Sequence, residues 1–202
     1  MYEFSKLAEE DSLIKLLDLK EDVTIIKKIK YPEGELTLPF CKTILEAPFL
    51  VLIARPKAQT SVVLTLGLKN VLVGVIQKFT NRRKIHRDKF IHNIITSIVD
   101  FAYPDLVILD GTVGVGGGGP IFGTEIKAGW ALASFNALTA NSLATHLMGF
   151  DIDDVGYLNL LREKEIGALF PKDEIEILGK RHEILINPFK PHKSFKKRKI
   201  WR

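Results

Sequence analysis

Six glycines crowd the nine positions from Gly111 to Gly119, in DGTVGVGGGGP directly after the apolar run LVIL. Glycine gives up more conformational entropy on folding than any other residue, so a run this dense implies a tight turn or a backbone that meets a ligand at close range. Gly114, Gly116 and Gly119 even spell G-x-G-x-x-G behind a predicted strand. A dinucleotide fingerprint, however, must open a helix on the pyrophosphate and needs an acid about 20 residues on. Here Pro120 follows the last glycine and no Asp or Glu stands between Glu125 and Asp151. A phosphate loop of the Gly-Lys-Ser/Thr kind is absent too. What remains is a loop at the carboxyl end of a strand, either cradling an anion on bare N–H groups or holding nothing. The candidate ligand site comprises Asp110, Gly111, Gly116, Gly117 and Gly119, with Lys57, Lys69 and Asn70 as anion contacts.

Other chemical patterns dissolve on inspection. HRDKFIHN, from His86 to Asn93, copies the protein-kinase H-R-D-x-x-x-x-N, yet the kinase arrangement requires its Gly-rich loop and strand lysine upstream. His86 and His92 stand six apart with no third ligand type nearby, so no metal site is expected. Ser61 and Ser134 have no histidine partner that the sequence supplies, which leaves a catalytic triad without support. The single cysteine, Cys41, excludes an intramolecular disulfide framework, a four-cysteine zinc site and an iron–sulfur cluster ligated by this chain. No cofactor is expected, and a reducing, cytoplasmic setting follows.

The formal net charge of +5 is concentrated rather than spread. Residues 187 to 202, NPFKPHKSFKKRKIWR, carry seven Lys or Arg and no acid, against 22 basic and 24 acidic residues in the remainder. KFTNRRKIHRDK, residues 78 to 89, adds six basic residues to one acid. Such segregation points to an anionic partner, nucleic acid in particular. The candidate contacts are Lys190, Lys193, Lys196, Lys197, Arg198, Lys199, Trp201 and Arg202, helped by Arg82, Arg83 and Lys84. Phe189, Phe195 and Trp201 interleave the tail cations, so bases could stack where phosphates are neutralised. Pro188 and Pro191 predict an extended, mobile tail.

Strands alternating with helices must position these groups. VTIIKKIKY predicts a strand, YPEGE a turn, FLVLIAR (49 to 55) a fully buried strand, and VVLTLGLKNVLVGVIQKF a strand and helix or one helix. Helical spacing runs from Phe90 to Phe101 with Asp88 as cap, then DLVILD reads as a buried strand ahead of the glycines. KAGWALAS predicts a strand, NALTANSLATHLMGF and DDVGYLNLLREKEIG helices, and DEIEILG and HEILIN short closing strands. The expected fold is α/β, a mixed or mostly parallel sheet flanked by helices, with the Gly-rich loop after a central strand. Residues 1 to 186 form a single domain in this reading and 187 to 202 a basic tail. FLVLIA and VLVGVI fall short of the roughly 20 apolar residues that span a bilayer, and the first residues do not resemble a secretion signal.

RPKAQT…LTLGLKN, HRDKFIHNIITSIVDFAYPDLVILDGTVGVGGGGPIFGT and LASFNALTANSLATHLMGFDIDDVGYL together resemble the family called domain of unknown function 362, over roughly residues 38 to 190. The resemblance implies an α/β fold, often joined to ferredoxin-like clusters, with no assigned reaction. Where the family has K-T-H this chain ends in Thr60-Ser61, its acidic residue after V-G-M is Gly116, and the aspartates of D-P-V-A-x-D are Asn136 and Asn141. An amide keeps the shape but cannot ionise, so the resemblance implies a chemically disarmed relative. The expected function is a non-catalytic domain that binds RNA or a ribonucleoprotein through its tail. The alternative is a small anionic-ligand-binding protein or enzyme that uses the Gly-rich loop and is redox-linked through a separate iron–sulfur partner. A further protein partner is compatible with both; a membrane is not.

Overall fold

The computed structural model describes residues 4–77, 79–87, 89–198 and 201, without the side chains of residues 79, 80, 87, 120, 121 and 198. Its order is α1 (Phe4–Glu10), β1 (Thr24–Tyr31), β2 (Gly34–Cys41), α2 (Lys42–Leu45), β3 (Val51–Ala54), β4 (Lys57–Gln59), β5 (Val63–Thr65), α3 (Gly67–Gly74), α4 (Phe79–Arg87) and α5 (Ile91–Ala102). Then follow β6 (Leu106–Gly111), β7 (Gly114–Gly116), α6 (Gly119–Phe122), β8 (Thr124–Ile126), β9 (Trp130–Ser134), α7 (Ala137–Leu147), α8 (Gly156–Glu163) and α9 (Phe195–Arg198). Asp88, expected to cap α5, lies outside the described residues; Phe90 occupies the cap position.

The fold is mixed α/β, with its strands divided among three small sheets. An antiparallel hairpin pairs β1 with β2. A three-stranded sheet runs β3-β6-β9, parallel on one side of β6 and antiparallel on the other. A four-stranded sheet runs β5-β4-β7-β8, in which only β4 and β7 are parallel. Helices α3 and α7 pack on the three-stranded sheet, and α5 packs on α3 and α8. Leu64, Leu66, Leu72, Ile94, Ile98, Val107, Leu109 and Leu158 form part of the buried core beneath them.

Period-two burial explains a first correction. FLVLIAR was expected to be buried on both faces, but β3 alternates exposed and buried, leaving Val51 and Ile53 in solvent. It is an edge strand, and the helices cover one face of its sheet only. A second correction concerns DEIEILG and HEILIN, which form no strands. Residues 174–178 are irregular and His182–Leu185 is a 3-10 turn. Ile175 and Ile177 instead face Trp130, Leu132 and Leu143 across a cavity of about 480 Å³. Their alternation is strand-like, but Gly179 at φ +105° turns the chain away and no ladder forms with β9.

The tail also departs from expectation, because it packs against the body. Asn187 N–H donates to the Leu147 carbonyl at 2.9 Å and Phe189 N–H to the Met148 carbonyl at 2.9 Å. Phe189 is buried, and Phe195 meets Phe150 with ring centroids 5.7 Å apart. The Trp201 indole N–H donates to the Asp153 carbonyl at 2.8 Å.

Candidate functional site

The four-stranded sheet gathers the chemistry. Lys57 opens β4, where its Cα pairs with Thr65 on one side and with Val115 of the glycine-rich stretch on the other. Between β4 and β5 the chain reverses in a three-residue turn, Leu64 N–H donating to the Val62 carbonyl at 2.8 Å with Val63 at φ +68°. A β-branched residue in that region costs about 1–3 kcal/mol and is found where the surroundings force it. The strand then feeds α3, whose first turn carries Lys69. Asn141 seats that turn: its Oδ1 accepts from Leu68 N–H at 3.1 Å while its Nδ2 donates to the Ala137 carbonyl at 2.5 Å.

Lys69 is only 5% exposed, with its Nζ 3.4 Å from His86 Nε2 on α4. Burial, and secondarily the neighbouring Lys57, push its ammonium down to about 8. Burial also holds His86 down to about 4, reinforced by Lys69 and Arg82. No carboxylate within salt-bridge distance accompanies Lys69 among the described residues. Thr65 Oγ1, directly across from Lys57, and His86 Nδ1 are both buried without a hydrogen-bond partner. A buried amine beside an imidazole and a half-buried second amine, with no acid in salt-bridge range of Lys69 among the described residues, is poised to attract negative charge.

The glycine-rich stretch lies beside this cluster, and four of its glycines have a physical reason here. A methyl group at Gly114 would collide with the Phe189 ring and stand 2.9 Å from the Pro56 carbonyl. At Gly116 it would stand 3.2 Å from Lys190 N. Gly117, at φ +75°, donates its N–H to the Lys190 carbonyl at 2.6 Å. Gly119, at φ +80°, approaches Thr60 and His192, and Ser194 Oγ donates to the Thr60 carbonyl at 2.9 Å. The tail therefore straps across the loop, and the loop's close approach is to its own chain.

The remaining expected residues scatter. Asn70 is exposed and borders a separate groove with Leu52, Val71 and Arg82. Asp110 accepts from Thr112 Oγ1 at 2.6 Å and Thr112 N–H at 3.0 Å, bonds that hold its carboxyl below the usual range, and it faces Arg55 at 3.8 Å. It caps a turn as a carboxylate. Gly111 lies under the Trp130 indole. Arg82 is occupied by the end of α3, donating through Nε to the Ile76 carbonyl at 2.6 Å and through Nη2 to the Gly74 carbonyl at 2.9 Å. Arg83, Lys84, Lys190, Lys193, Lys196 and Lys197 are exposed. Arg198 ends α9, Trp201 is packed, and Lys199 and Arg202 lie outside the described residues.

Asn136 and Asn141 are structural. Asn136 Oδ1 caps α7 by accepting from Thr139 N–H at 2.9 Å, while Nδ2 donates to the Ile166 carbonyl at 2.9 Å. Both positions use the donor that a carboxylate lacks. In the sequence His86 suggests only a kinase-like motif or a metal ligand, and nothing there marks Thr65. One signal pointed to the site: Lys69 is a lone cation inside the apolar run LTLGLKNVLVGV.

Among the described residues no group of three His, Cys, Asp or Glu is arranged to hold a metal, and no helix is long and apolar enough to cross a membrane. Fold and cluster together define a mixed α/β domain with a buried cationic centre beside a glycine-rich turn. The chain belongs to the family described as Domain of unknown function (DUF362), whose model matches residues 2–146. That match takes in the β1–β2 hairpin and ends within α7, so the LMGFD piece lies beyond it. No curated protein and no solved structure matches the chain.

Proposed function

We propose that this protein binds a small anion, a carboxylate or a phosphate, at the cluster of Lys57, Lys69 and His86. The observation that carries the reading is a 5% exposed lysine without an acidic partner among the described residues. A buried charge is normally paired, because desolvation without compensation costs several kcal/mol. An anion supplies the missing counter-charge, and the half-buried Lys57 adds a second positive charge near it. Thermal denaturation in inorganic phosphate and in pyruvate tests this. The melting temperature of the wild type rises saturably with one of the anions, at constant ionic strength, and that of Lys69→Met does not. Equal rises in both proteins, or none in the wild type, refute the site.

A second reading, RNA or ribonucleoprotein binding through the tail, is supported by the row Lys190, Lys193, Lys196 and Lys197. These lysines are exposed and free of ion pairs among the described residues, on a segment anchored by Phe189 and Trp201. With the aromatic side chains turned inward, this binding relies on phosphate contacts and carries little base preference.

A further inference from the structure

We infer that Lys69 condenses with the carbonyl carbon of a small oxo acid to form an imine, with His86 moving the proton and Lys57 holding the acid group. This rests on the anion-site reading and adds the chemical class of the ligand. Three observations carry it. Lys69 is a buried primary amine, and its Nζ lies 3.4 Å from an imidazole nitrogen. A second amine, Lys57, stands near enough to disfavour its charge. A buried hydroxyl without a partner, that of Thr65, lies directly across the strand from Lys57.

Desolvation beside another cation is how an amine becomes a nucleophile. With its ammonium held down to about 8, roughly a tenth of Lys69 is free amine at pH 7, a few hundred times the share of an ordinary lysine. His86 is neutral under the same conditions and can accept a proton at Nε2. In the addition, the Nζ lone pair attacks the carbonyl carbon, a C–N bond forms, and the carbonyl π pair passes to oxygen. Nζ releases a proton to His86 Nε2, which returns it to that oxygen, giving a carbinolamine. Protonation and departure of the hydroxyl as water break the C–O bond, and loss of the remaining N–H proton leaves the neutral imine. The balance is amine plus carbonyl to imine plus water, with no oxidant or reductant. An amine alone would select any carbonyl; the cationic surroundings, with no carboxylate in salt-bridge range of Lys69 among the described residues, select one that carries its own negative charge.

The test is reductive trapping of the full chain with cyanoborohydride and either glyoxylate or pyruvate, followed by digestion and mass spectrometry. The reduced adduct is expected at Lys69 ahead of the exposed Lys190 and Lys193, and excess phosphate suppresses it at Lys69 alone. His86→Gln slows trapping at Lys69 by at least about tenfold without changing the surface lysines. Should that variant fail to fold, phosphate competition on the wild type decides by itself. Adducts confined to exposed lysines, or Lys69 labelling indifferent to phosphate, overturn the imine. A phosphate-dependent melting shift without a Lys69 adduct removes this chemistry but keeps the anion site, whereas absence of both removes both.

Discussion

Lys69 keeps its charge against both burial and a like-charged neighbour, so its titration is coupled to folding. The unfolded chain holds that proton to the ordinary value of 10.5, the folded one only to about 8. Between those values the unfolded state binds more protons, and stability must rise with pH across the window. His86 adds a similar rise lower down, between about 4 and 6.5. Lys69→Met is therefore expected to abolish the alkaline rise and to stabilise the protein at pH 7 by up to roughly 3 kcal/mol. Urea unfolding across a pH series measures both, and an unchanged alkaline limb in the variant would contradict the desolvated ammonium. At this scale the sequence points to Lys57 and Lys69 through the rule that open α/β sites gather at strand ends, and the folded chain brings the two amines within electrostatic reach of each other. The sequence concealed His86, whose partner is an amine 17 residues away rather than another metal-binding side chain. Asn70 misled by adjacency: neighbours on a helix point about 100° apart, so it faces solvent while Lys69 is buried.

The elements show why a run of glycines need not mean a ligand. Strand β7 has no side chains at Gly114 and Gly116 because the Phe189 ring and the Lys190 backbone occupy that space. Gly114→Ala cannot be relieved by a small shift, since the methyl group meets both a buried ring and the Pro56 carbonyl. The expected result is a loss of about 1–3 kcal/mol and release of residues 187–195, seen as faster proteolysis within the tail. Gly74→Ala, where an added methyl finds nothing within 4 Å, is the control and leaves proteolysis unchanged. Periodicity was enough to expose α5, whose apolar spacing matches the face it buries, and apolar or β-branched runs located β1, β6 and α7. It failed at residues 173–179 for a physical reason. Alternation says which side chains turn inward, but a strand also needs a partner for its backbone, and tertiary placement decides that. The division of the strands into three small sheets was hidden for the same reason.

At the scale of the molecule, the two functional readings share one segment. The tail that presents Lys190, Lys193, Lys196 and Lys197 is also the strap lying on the glycine-rich turn next to Lys57. Cations on an anchored segment lose less freedom on meeting a phosphate backbone than cations on a free one. If those four lysines each neutralise one phosphate of single-stranded RNA, log K falls against log salt with a slope of about −3. Replacing all four by alanine should flatten that slope to near zero without altering the phosphate-induced melting shift, because Lys69 and His86 stand on α3 and α4, outside the strap. Filter binding of a single-stranded RNA at several salt concentrations, with the wild type and the fourfold variant, measures it. Equal slopes would assign any RNA affinity to other cations such as Arg83 and Lys84, and no binding near physiological salt would leave the anion site as the standing reading. If the fourfold variant also loses its melting shift with phosphate, strap and cluster are energetically one unit. Reciprocity of binding free energies then requires RNA and the small anion to alter each other's affinity by the same factor.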